Sequence, residues 1–171
     1  MFALDPSIHY ETKHAMHADL QRQLQSLLNG ERDFIANTAN CAALIFNMLP
    51  DLNWAGFYFL RALENDKQEL LLGPFQGKPA CVRIPVAPVA RGVCGAAAAT
   101  RITQRIENVH DFPGHIACDG ASLSELVIPL IVGDKVIGVL DLDSPKLARF
   151  DAEDQAGFEA LVAILLAASD R

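Results

Sequence analysis

Apolar residues first recur at helical spacing. Over residues 13–28, Met16, Leu20, Leu24, Leu27 and Leu28 fall on one helix face, and Gly30 supplies a stop. A second helix is predicted over residues 31–48. Phe34, Ile35, Ala42, Ala43, Leu44 and Phe46 give it a broad apolar face, and Pro50 ends it. The period then changes. Residues 53–60 and 69–75 are rich in aromatic and aliphatic side chains and flank a polar stretch, residues 64–68, which predicts an antiparallel hairpin. Residues 90–100 pass from a glycine-containing turn into a short alanine-rich helix. Residues 125–132 and 135–143 are strands joined by Gly133-Asp134, a two-residue connection that signals a second hairpin. Asp151 caps a last helix over residues 152–168, with Asp154 at the third position in a weaker relative of the capping box.

Helices at both ends and strands between, with no internal repeat or long linker, predict one α+β unit over residues 1–171. Its helical part covers about residues 1–50, and its sheet and last helix about residues 51–171. Regular strand–helix alternation is absent, as are phosphate-loop and dinucleotide glycine patterns, which disfavours a doubly wound nucleotide fold. Apolar residues make up 51% of the chain and charged residues 20%, the profile of a globular protein. A formal charge of −7 argues against nucleic acid or an anionic membrane as partner. The first residues carry Asp5 and Pro6 where a secretion signal needs a basic stretch and an apolar core, so a cytoplasmic location is expected. The apolar stretch over residues 160–168 is too short to span a bilayer and reads as core helix.

In a reducing compartment a structural disulfide does not persist, so the four cysteines need another explanation. Cys41, Cys81, Cys94 and Cys118 form no CxxC pair, which argues against a four-cysteine zinc site, and no metal or other cofactor is expected. Cys41 lies among small and apolar residues of the second helix and reads as a packed hydrophobe. Cys118, in HIACDGASLSE, sits in a loop ahead of a strand, where a reactive thiol can reach solvent. Asp119 beside it would raise its pKa, and a protonated His115 would lower it. Cys94, between Gly92 and Gly95 at a helix start, is either favoured as a thiolate by the helix dipole or packed beneath a tight turn. Cys81 follows GKPA in a loop that can bring it to another thiol.

Alternation places Asp141 and Asp143 on one face of their strand, together as a pocket wall or at solvent, although Asp143-Ser144-Pro145 also suits a plain turn. Pairing about the Gly133-Asp134 turn brings Glu125 near Asp143. Trp54 and Tyr58, four apart, share a strand face and serve either as core or as an aromatic pocket wall.

The segments LLLGPFQGKPACVRIPV, RGVCG, FPGHIACD, SE-VIPL and GVLDLDSP, in this order, resemble the free methionine-(R)-sulfoxide reductases, a family with the GAF fold. The resemblance implies a six-stranded antiparallel sheet flanked by helices, a homodimer, and thiol-dependent reduction of free methionine-(R)-sulfoxide with thioredoxin as recycling partner. By position it implies Cys118 as nucleophile, Cys81 as the resolving cysteine and Cys94 as a third cysteine that relays or substitutes. It also implies Glu125, Asp141 and Asp143 as acidic pocket residues, and Trp54 and Tyr58 as its aromatic wall. This chain has extra residues between RIPV and RGVCG, so Cys81, Cys94 and an external thiol all stand as candidate resolving groups. A non-catalytic GAF module that senses a small ligand, or a redox sensor, is the alternative reading of the same fold.

Overall fold

The computed structural model describes residues 10–114 and 120–171. Helices α1 (Lys13–Leu27) and α2 (Phe34–Met48) precede strands β1 (Trp54–Ala62), β2 (Gln68–Gly77) and β3 (Arg83–Ala87). Then follow α3 (Gly92–Thr100), the short strand β4 (Gln104–Ile106), β5 (Ser124–Val132), β6 (Lys135–Ser144) and α4 (Ala152–Ala168). The strands form one six-stranded sheet in the order β3-β2-β1-β6-β5-β4. Every neighbouring pair is antiparallel. The α+β sheet with terminal helices that the resemblance implies is therefore present.

Local chemistry sets the helix ends. Thr12 caps α1 by accepting the Ala15 N–H, and Asp33 caps α2 by accepting that of Ala36. The second helix begins three residues later than its apolar pattern predicts. The Glu31 side chain accepts the N–H groups of both Arg32 and Asp33 at 2.7 Å, which makes residues 31–33 a cap rather than a first turn. The last helix matches the expectation from its sequence, with Asp151 and Asp154 closing a reciprocal capping box. Strand β4 carries no periodic signal of its own. At three residues it exists because Gln104, Arg105 and Ile106 pair with Val127, Leu126 and Glu125 of β5.

The two hairpins join where β1 meets β6, and Gly138 permits the close approach. A Cβ there would lie 2.2 Å from the Tyr58 carbonyl oxygen. One face of the sheet packs Ala55, Phe57, Phe59, Leu126, Ile128, Leu130, Leu140 and Leu142 against α1, α2 and α4. Each such large side chain contributes on the order of 1.5–3 kcal/mol on full burial. Asp154 in α4 ties this layer together. It accepts from Lys13 Nζ at 2.5 Å, Arg149 Nη1 at 3.2 Å and its own cap backbone at 3.0 Å, and lies 3.1 Å from His17 Nε2. Among the described residues, no helix is long and apolar enough to cross a membrane.

The opposite face of the sheet carries α3 and a smaller cluster that includes Trp54, Tyr58, Leu70, Ile84, Val93, Cys94, Ala97, Val127 and Val139. This second face holds the site.

Candidate active site

Strand register brings the acidic residues together. Asp143 of β6 faces Trp54 of β1 on one side and Glu125 of β5 on the other, so these three form a row across the sheet. Two residues along β6, Asp141 sits between Gly56 and Val127 on the same face. Asp143 lies inside β6 rather than in a turn after it. All three carboxyls, with Trp54 and Tyr58, line one cavity that also reaches α3 through Gly92, Val93 and Cys94.

Burial decides how these groups titrate. Glu125 and Asp141 are each only 6% exposed. Desolvation, then the charges of Asp141 and Asp143, push the Glu125 carboxyl far above the ordinary carboxylate range. Desolvation also raises Asp141, but hydrogen bonds from Cys94, Glu125 and the Leu142 N–H temper the rise. Both carboxyls therefore hold a proton more readily than an ordinary one, because burial disfavours their charged forms. One Asp141 oxygen, Oδ1, has no hydrogen-bond partner. A buried acceptor left in this state is a ready partner for a ligand donor.

Cys94 is buried, and its Sγ lies 3.9 Å from Glu125 Oε1. Burial and then the charges of Asp141 and Glu125 raise its thiol well above normal. Of the two sequence readings for Cys94, the geometry favours packing as a neutral thiol, because desolvation and carboxylates outweigh the helix dipole. Cys94, Glu125 and Asp141 also present ligand-type atoms within 4.8 Å of one another, a set that could hold a divalent cation once deprotonated.

Cys41 is fully buried in α2, and burial alone raises its thiol, as befits a packing residue. Cys41 and Cys94 are free thiols, whereas Cys81 is disulfide-bonded. Cys81 follows directly on Lys78, Pro79 and Ala80, which form part of the cavity wall. Cys118, His115 and Asp119 lie outside the described residues.

Trp54 and Tyr58 stack with ring centroids 5.8 Å apart. Their polar tips reach the chain beside Cys81. The Trp54 indole N–H donates to the Lys78 carbonyl at 3.1 Å, and the Tyr58 hydroxyl donates to the Cys81 carbonyl at 3.0 Å. Desolvation, followed by the neighbouring acids, raises the Tyr58 pKa, so it stays a donor. Sequence reasoning missed two polar residues of the cavity wall, Lys78 and Ser122. Lys78 stood within the GKPAC segment that drew attention to Cys81, whereas Ser122 carried no signal of its own.

Residues 38–168 match the GAF domain family. The free methionine-R-sulfoxide reductase of Escherichia coli (strain K12) is 55% identical over 153 residues, covering 90% of this chain and 88% of that protein. That of Saccharomyces cerevisiae is 41% identical over 146 residues, covering 82% and 78%. The structure of free methionine-R-sulfoxide reductase from Neisseria meningitidis in complex with its substrate superposes with a TM-score of 0.87 at 40% identity, covering 98% of this chain and 95% of that one. On a fold, a pocket and relatives of this kind, the chain belongs to the free methionine-R-sulfoxide reductase family of GAF-domain proteins.

Proposed function

We propose that this protein reduces free L-methionine-(R)-sulfoxide to L-methionine, with Cys118 as nucleophile and Cys81 as the resolving thiol. The observation that carries the reading is one cavity that joins Glu125, Asp141 and Asp143 to the Trp54–Tyr58 pair and to the chain entering disulfide-bonded Cys81. In the first step the Cys118 thiolate attacks the sulfoxide sulfur. An acid must protonate the sulfoxide oxygen, because hydroxide leaves poorly. Glu125, which holds its proton above the ordinary carboxyl range, suits that role. The S–O bond of the sulfoxide breaks as the bond to Cys118 forms, water then attacks the Cys118 sulfur and the bond between the two sulfurs breaks, so methionine leaves reduced and Cys118 is oxidised to a sulfenic acid.

Condensation with Cys81 then forms a disulfide and releases water. Because Cys94 is a free thiol, the observed pairing of Cys81 supports Cys81 rather than Cys94 as the resolving group. Thioredoxin supplies the two electrons that restore both thiols. Asp141 and Asp143 would hold the substrate ammonium, Asp141 Oδ1 being the acceptor left unpaired, and the amino end of α3 would face its carboxylate. A substrate that must present both charged ends is the free amino acid and not a residue of a polypeptide. The aromatic pair offers an apolar wall to the rest of the side chain. We place the activity in the cytoplasm, in a homodimer whose subunits are each one GAF domain over residues 1–171.

The test is consumption of free L-methionine-(R)-sulfoxide with a thioredoxin recycling system, for wild type and Cys118→Ser. Wild type is expected to turn over and the variant to be inactive. Full activity of the variant would remove Cys118 from its role. Inactivity of both would favour a ligand- or redox-sensing module.

A further inference from the structure

The chain beside Cys81 is held by an aromatic pair that the proposed chemistry so far uses only as a wall. Residues 78–82 lie between β2 and β3 and belong to neither strand. Their backbone is fixed at the far end by the Leu72 N–H, which donates to the Val82 carbonyl at 3.0 Å. At the near end the donors are the Trp54 indole, to Lys78, and the Tyr58 hydroxyl, to Cys81. Both aromatic residues are themselves immobilised, at 3% and 1% exposure. Trp54 stacks on Phe75 as well, with centroids 5.3 Å apart. Two glycines leave it room. A Cβ on Gly56 would lie 2.6 Å from Trp54 Cη2, and one on Gly77, whose φ of +120° already disfavours a side chain, 2.8 Å from Trp54 Cδ1.

We infer that Trp54 and Tyr58 are positioning residues for the second thiol: they hold the backbone of residues 78–81 so that the Cys81 sulfur meets the oxidised nucleophile. The inference rests on the reductase reading above. In the step concerned, the Cys81 thiolate attacks the sulfenic sulfur of Cys118. The S–S bond forms, the S–O bond breaks, and hydroxide leaves as water with the proton that Cys81 gave up. The Cys118 sulfur is reduced and the Cys81 sulfur oxidised, so no outside electron acceptor enters. The rate of such a step follows the effective concentration of the attacking thiol, which a fixed backbone raises. Both tethers end on carbonyl oxygens rather than on sulfur, so they serve the reduced chain as they serve the disulfide. A ring that only walled the pocket would act on substrate capture instead.

The experiment separates the two half-reactions. Reduced protein is mixed with one equivalent of free methionine-(R)-sulfoxide and quenched at intervals, and methionine and disulfide are counted separately. In Tyr58→Phe, which keeps the ring and loses the hydroxyl, the disulfide is expected to lag methionine, forming about three- to tenfold more slowly than in wild type, the effect of one lost hydrogen bond. Trp54→Phe should show the same lag, and the double variant a longer one. In steady state kcat should fall more than kcat/KM, because kcat/KM reports only steps up to methionine release. Disulfide forming at the wild-type rate in both single variants would overturn the inference. If wild type forms no methionine, the reductase reading alone fails. The tether is then tested with one equivalent of hydrogen peroxide, which oxidises the thiolate to the sulfenic acid and is itself reduced to water. The same lag supports the inference and equal rates overturn it.

Discussion

Asp154 and Asp141 are both aspartates with almost no exposed surface, yet the protein treats them in opposite ways. Asp154, in the helical layer, is surrounded by cations. Burial by itself would raise its pKa, but His17, Lys13, the Asp151 N–H and the Arg149 charge together hold the carboxyl far below the usual range. Asp141, on the α3 face, has Glu125 and Asp143 for neighbours, keeps one oxygen without a partner, and is raised. The first arrangement stabilises the fold, because a buried carboxylate with several charge-assisted hydrogen bonds is costly to disrupt. The second works against the fold and stores a proton and an unsatisfied acceptor where a ligand can use them. Strain of this kind belongs to a site rather than to a scaffold.

Removing the carboxyl should therefore have opposite consequences in the two places. Glu125→Gln removes the proton that the pocket retains and is expected to lower kcat for sulfoxide reduction about 10²- to 10⁴-fold, the usual worth of a general acid. Its melting temperature at pH 7 should stay level or rise, because the fold no longer has to keep a proton that the unfolded chain would give up. Activity near wild type would move the acid role to another group. Asp154→Ala should do the reverse. Loss of the buried acceptor and its cap costs about 3–5 kcal/mol in denaturant unfolding, with turnover per folded molecule retained.

The same contrast predicts two arms in the pH dependence of stability. Glu125 binds its proton more tightly folded than unfolded, so its contribution is complete below its unfolded pKa, near 4.5, and is lost as pH rises through the raised folded value. Asp154 behaves in the opposite sense. Its contribution is present above its unfolded pKa, near 3.8, and is lost as pH falls toward the lowered folded value. Stability measured by chemical denaturation across pH should therefore peak in mildly acidic solution. Glu125→Gln should flatten the alkaline limb, and Asp154→Asn the acidic one. An unchanged alkaline limb in Glu125→Gln would mean that Asp141 or Cys94 carries it.

How much of this was legible in the sequence depends on the range of each interaction. The α4 cap is local, and Asp151 with Asp154 announced it. The Gly133-Asp134 turn fixed the β5–β6 register closely enough to bring Glu125 to Asp143. Nothing near Asp154 in sequence announced Lys13 and His17, because those partners arrive from α1 only after the helices pack. β4 was invisible for a similar reason, its three residues being held by β5 alone. Cys94 shows the limit of a local rule. Its place in the first turn of α3 left a dipole-favoured thiolate and a packed thiol both open, and burial beside two carboxyls favours the packed thiol. The tie from Trp54 and Tyr58 to residues 78–81 likewise depends on how the chain beyond β2 folds back over β1.

The smallest effect tests whether the Asp154 cluster is a network or a sum of pairs. Lys13 has a third of its side chain exposed and is shared between Asp151 and Asp154. Arg149 and His17, by contrast, are nearly buried on the same carboxylate. Removing the exposed partner leaves Asp154 with two cationic or hydrogen-bonding groups and its cap backbone. Lys13→Met, which keeps the aliphatic stem, should therefore cost only about 1 kcal/mol, since solvent screens the ammonium. That loss should shrink further in high salt. A loss as large as that of Asp154→Ala would mean that Lys13 holds the other two partners in place. The helical layer would then depend on a single interhelical charge pair, as sharply tuned as the pocket on the other face of the sheet.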